Sequence, residues 1–127
     1  SDSALSTAIV TAYEKGEPIV AYYWEPTWVM GKLDMTLLDG VEGKQPLSVG
    51  MEVMITVNHK LPEKAPEVVE FLSQYSTSSQ LTSEALAYMM NNQADTEEAA
   101  HWFLKNKKDV WTQWVSEEVA QKVKNSL

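Results

Sequence analysis

The chain of 127 residues, 44% hydrophobic, is long enough for one packed domain, and its 18 acidic against 10 basic side chains give a net charge of −8. That balance argues against a nucleic-acid partner, which needs a basic stripe. It suits a cationic or zwitterionic solute, although acidity mostly serves solubility. The chain has no cysteines, so no disulfide or thiol chemistry is available, and no run approaches the ~20 apolar residues of a membrane span.

In chain order, Leu5, Ile9, Ala12 and Tyr13 recur at helical spacing, which predicts a helix over 3–15 that Gly16 stops. The apolar run from Pro18 to Trp24 reads as a buried strand over 19–24. Glu25-Pro26 breaks it, and the proline suits the first position of a short helical turn over 26–30. Residues 35–38 read as a second short strand. Residues 40–50 hold three glycines and a proline, a surface-loop composition. Met51, Val53, Ile55 and Val57 then alternate against Glu52, Met54, Thr56 and Asn58, the pattern of a strand with one buried face. Beyond residue 60 the pattern turns helical. Pro66 opens a helix that ends near Tyr75, and 76–80 is a polar linker. Thr82 caps a helix over 83–91, and Asp95 with Glu98 forms a capping box for the next one. Asp109 restarts a helical segment, and 116–127 is an amphipathic tail. The fold class that follows is α/β, a small sheet flanked by helices, with an α/β part over 1–58 and a helical part over 59–127.

The stretch Tyr22-Tyr23-Trp24-Glu25-Pro26-Thr27-Trp28 packs four of the twelve aromatic residues into seven positions. On this reading it delivers them to the carboxyl end of a strand and the first turn after it, where ligands bind in an open α/β sheet. Indole and phenol faces suit a cation that cannot donate hydrogen bonds, such as a quaternary ammonium. The same cluster is equally at home as core or as a buried loop anchor. On a strand, Tyr22 would share the face of Trp24 while Tyr23 points the other way. Free amides of the helical turn after Pro26, and the Thr27 hydroxyl, are candidate donors to an anionic group. Elsewhere the bland readings win. His59 and His101 stand far apart with no cysteine, which argues against zinc. Trp102, Trp111 and Trp114 fit a packing face, Met54, Met89 and Met90 fill core, and Lys105, Lys107 and Lys108 suit a helix end. With no phosphate loop, nucleophile elbow or His-Glu-x-x-His motif, neither an enzyme nor a cofactor is expected.

Tyr23-Trp24-Glu25-Pro26-Thr27-Trp28, followed by Gly31-Lys32-Leu33-Asp34 and an apolar run to Leu38, resembles the substrate-binding proteins of glycine betaine/proline betaine ABC transporters. The resemblance extends upstream through Glu14-Lys15-Gly16-Glu17-Pro18-Ile19-Val20. Downstream it takes in Lys64-Ala65-Pro66-Glu67, Phe71-Leu72, Thr96-Glu97-Glu98-Ala99-Ala100 and Trp102, Leu104 and Lys105. It implies a single lobe, or fragment, of a two-lobed periplasmic-binding-protein-like fold, with residues 1–127 a partial substrate-binding domain. It also implies a quaternary-ammonium solute held by Trp24, Trp28 and Tyr23, with Thr27 standing where many relatives place a histidine that helps hold the carboxylate. The partners implied are the remaining lobe and the membrane permease, the setting periplasmic or anchored outside the cell. An exposed half-site would favour self-association. A ligand-sensing domain of similar fold and a protein-interaction module built on the aromatic patch are the alternatives.

Overall fold

The computed structural model describes residues 2–38 and 53–127, and among these the chain forms eight helices. They are α1 (Asp2–Lys15), α2 (Trp28–Lys32), α3 (Leu61–Lys64), α4 (Pro66–Gln74), α5 (Ser79–Asn92), α6 (Thr96–Asn106), α7 (Lys108–Trp111) and α8 (Glu117–Ser126).

Several helix ends follow directly from local chemistry. Gly16 takes φ 68°, and the amides of Gly16 and Glu17 bond the carbonyls of Tyr13 and Ala12 at 3.0 and 2.9 Å. Both bonds close α1 on carbonyls that would otherwise be orphaned. Pro66 opens α4 at a position where its missing N–H costs nothing. Asp95 and Glu98 make the reciprocal box, Glu98 N–H to Asp95 Oδ1 at 2.9 Å and Asp95 N–H to Glu98 Oε2 at 3.0 Å. Ser116 caps α8 through the Val119 amide. The helix expected over 83–91 starts four residues sooner, because the Ser78 hydroxyl already caps the Leu81 amide at 3.2 Å. Thr82 therefore lies inside the helix.

The α/β expectation is overturned: no strand occurs among the described residues. Residues 19–24, 35–38 and 53–58 share no backbone ladder with one another, and a strand exists only through bonds to a neighbour. The buried face that alternation implied is missing, since Val53, Ile55 and Val57 are 93%, 47% and 44% exposed, and in the run over 19–24 Val20 and Tyr22 are 82% and 86% exposed. The expected loop over 40–50, and the first two residues of the expected strand over 51–58, lie outside the described residues.

What positions the N-terminal segment is a small apolar centre of Ile9 from α1, Val29 from α2 and Leu33, with Leu5, Val10, Tyr23, Trp28 and Met35 packed around it. α2 lies chiefly against α5, and α5 against α6. A second centre is aromatic. Phe71 and Tyr75 reach Trp114 with ring centroids 6.4 and 4.6 Å away, and Phe103 stacks on Trp114 at 5.9 Å. Trp111 is buried and donates its indole N–H to the Leu104 carbonyl at 2.8 Å. The tryptophans of this half therefore do take packing positions.

Between the centres, Lys107 pairs with Glu84 of α5 and lies 5.9 Å over the Trp102 ring, which stacks on Tyr88 at 5.0 Å. The Lys107 hydrogen bond holds the Glu84 carboxyl below its ordinary range, with help from Gln80 and against the desolvation that would raise it. A carboxyl depressed in the folded state contributes stability that is present above its unfolded pKa and lost as pH falls through its folded one. Glu84→Gln should thus cost about 0.5–1 kcal/mol at pH 7. The deficit should close as the pH drops below about 4. Urea unfolding at pH 7 and pH 3 measures both, and an undiminished deficit at pH 3 would assign the effect to packing instead.

Candidate functional site

The aromatic segment sits between α1 and α5, and its residues fare differently. Tyr22 is almost fully exposed, Trp24 is 46% exposed, Tyr23 and Trp28 are half-buried, and Thr27 is buried. Tyr23 and Trp24 bring their rings together at 4.8 Å between centroids, tilted by 34°. On a strand these neighbours would diverge; without the ladder the chain is free to turn both rings to one side. This reverses the expectation that Tyr22 would accompany Trp24. It also removes the premise that the segment closes the carboxyl end of a strand.

Each residue has an identifiable support. The Tyr23 hydroxyl lies 2.8 Å from the Ser6 hydroxyl on α1. The Thr27 hydroxyl caps α2, accepting from the Met30 amide at 3.3 Å, and the Thr27 amide donates to the Ser83 hydroxyl of α5 at 3.1 Å. The cap leaves the amides of Trp28 and Val29 as donors that the helix's own ladder does not use. Trp28 packs inward on the Ile9–Val29 centre while the Lys32 ammonium stands 6.0 Å from its ring centroid, the outer limit of a cation–π contact. Trp24 thus keeps nearly half of its surface exposed, whereas Trp28 is half-buried beside a resident lysine.

Gly31 explains how α2 reaches α5 so closely. A Cβ there would run into the Ser83 carbonyl and the Glu84 amide, so any larger residue forces the helices apart. The contacts that Ser6, Ser83, Gly31 and Lys32 make with the aromatic segment and α2 were not legible in the sequence. The serines do share one signal, since Ser6 with Ile9 and Ser83 with Ala87 fall at helical spacings of buried positions. Surface hollows lie elsewhere, one along α8 between Glu117 and Asn125 and one between Ser78, Leu81 and Trp114. Neither reaches the aromatic segment. Among the described residues no three acidic or histidine side chains gather as metal ligands, and no helix is long and apolar enough to cross a membrane.

Residues 1–106 match the family described as the substrate binding domain of ABC-type glycine betaine transport system. The chain belongs to this family. Residues 107–127, including all of α7 and α8, lie beyond the matched region. The chain is also similar to the glycine betaine/carnitine transport binding protein GbuC of Listeria monocytogenes serotype 1/2a (strain 10403S). The two are 27% identical over 114 residues, 90% of this chain and 37% of the relative, so the chain spans little more than a third of that relative's length. No solved structure matches it significantly. All four residues of the aromatic segment implicated by sequence, Tyr23, Trp24, Thr27 and Trp28, fall inside the glycine betaine-binding family's matched region.

The close approach of α2 to α5 is testable directly. Gly31→Ala should cost about 1–3 kcal/mol, the range for overpacking at a tight contact. Chemical unfolding measures it, and an unchanged midpoint would show that the two helices separate without penalty.

Proposed function

We propose that this chain contributes part of the binding site for a quaternary-ammonium compatible solute of the glycine betaine/proline betaine class, serving import by an ABC transporter. The observation that carries this reading is the contact of the Tyr23 and Trp24 rings at 4.8 Å with Trp24 still 46% exposed, in a chain of the betaine-binding family. A trimethylammonium group has no N–H to donate, so hydrogen-bonding side chains discriminate it poorly. Aromatic faces attract it electrostatically, each contributing about 0.5–1 kcal/mol when exposed and ~2 when water is excluded. Trp24 and Tyr23 offer one wall and Trp28 a second.

The carboxylate end needs donors. The Thr27 hydroxyl uses a lone pair to cap α2, which leaves its proton to donate. The Trp28 amide, which the helix's own ladder does not use, and the Lys32 ammonium beside the Trp28 ring are further candidate donors. Recognition of this kind involves no bond making, and the chain acts as a binding component rather than an enzyme. Its partners are the rest of the binding protein and the membrane permease, and its setting is the periplasm or the outer face of the cell membrane.

A protein-docking role draws on the exposure of Val20 and Tyr22, 82% and 86%, since apolar side chains left in water favour association. The two readings part on one variant. In the full-length protein Trp24→Ala should weaken glycine betaine binding by ~2 kcal/mol, and Trp24→Phe by less, because a phenyl face retains part of the attraction. Titration calorimetry provides the constants; equal affinities for wild type and Trp24→Ala would remove Trp24 from the site and favour docking.

A further inference from the structure

Three polar residues are buried among the described residues, Ser6, Thr27 and Ser83, at 4%, 8% and 2% exposure. All three bond to one stretch of eight residues, 23–30. Ser6 meets the Tyr23 hydroxyl from α1 at 2.8 Å, Ser83 accepts the Thr27 amide from α5 at 3.1 Å, and Thr27 accepts the Met30 amide at 3.3 Å. Serine inside a helix is less favourable than alanine, and burying its hydroxyl is costly without a partner. The compensation at Ser6 and Ser83 lies in bonds that cross 17 and 56 positions of sequence to the two flanks of Trp24.

We infer that Ser6 and Ser83 are positioning residues for the solute site, one fixing the Tyr23 ring from α1 and the other fixing the backbone at Thr27 from α5. This rests on the proposed function. Trp24 itself makes no such bond and is half exposed, so its direction is set by its neighbours at 23 and 27. A wall for a cation must stand within about 6 Å of it. Misplacement by an ångström or so is enough to lower affinity. Ser83 acts together with Gly31, whose missing side chain lets the Ser83 backbone come close enough for the bond.

The test uses the full-length protein and glycine betaine, with calorimetry well below the unfolding temperature of every variant. Ser83→Ala and Ser6→Ala should each raise the dissociation constant about fivefold to tenfold, the effect of one lost buried hydrogen bond. Ser83→Thr keeps the hydroxyl and should bind like wild type. Tyr23→Phe added to Ser6→Ala should weaken binding less than it does in the wild type, because the bond between the two hydroxyls is then already gone. If Ser83→Ala does not fold, the Ser6 and Tyr23 variants decide the matter alone. Serine variants that bind within twofold of wild type, while Trp24→Ala loses binding, overturn the positioning role and leave the site standing. Trp24→Ala with unchanged affinity instead overturns the proposed site, and the positioning role falls with it.

Discussion

Everything distinctive about the N-terminal segment depends on α2 lying against α5 with no side chain between them at Gly31. A helix of five residues is far too short to persist alone in water, so α2 exists because its surroundings hold it. Val29 is fully buried, a contribution of about 1.5–3 kcal/mol for an aliphatic side chain. Thr27 caps the first turn from within and is itself held by Ser83. The cap, the buried valine and the glycine contact cooperate: each requires the helices to be close, and closeness is possible only where position 31 carries no Cβ.

How much of this could be seen in the sequence divides along the range of the interactions. Gly16, Pro66 and Asp95 with Glu98 act on amides and carbonyls within a few residues, so their roles were legible and the helix ends sit where they imply. Ser78 and Thr82 both qualify as caps on local grounds, and the structure uses the first because it adds a turn to α5. The strands failed for the opposite reason. Alternation at 51–58 and the apolar run at 19–24 state only that a segment would suit a ladder; whether a neighbour is there to complete one is a long-range fact. Among the described residues no neighbour is present, and Val20, Tyr22, Val53 and Met54 face water.

The site shows the same division. The aromatic residues of the proposed site were evident as a cluster of residue type, and they lie within the family's matched range. Its supports were not, because a serine on a buried helix face differs from a solvent-facing one only by a spacing that many serines share. Ser83 reaches Thr27 across 56 positions, and nothing within a helix's length of either residue announces the other.

Where the aromatic rings meet cations, the surroundings separate structural pairs from available ones. Lys107 stands over Trp102 but is tied to Glu84, and the ring's other neighbour is Tyr88. That cluster is complete within itself, so a solute cation would have to displace a partly buried ion pair to enter it. Phe71, Tyr75, Phe103 and Trp114 likewise turn their faces to one another. Tyr23 and Trp24 touch each other but leave Trp24 open. Trp28 is intermediate, since the Lys32 ammonium already lies 6.0 Å from its centroid. At that range a second cation over the same ring meets like-charge repulsion as well as ring attraction. Under the proposed function the quaternary ammonium therefore belongs over the open Trp24 ring rather than over Trp28, where it would meet the Lys32 charge.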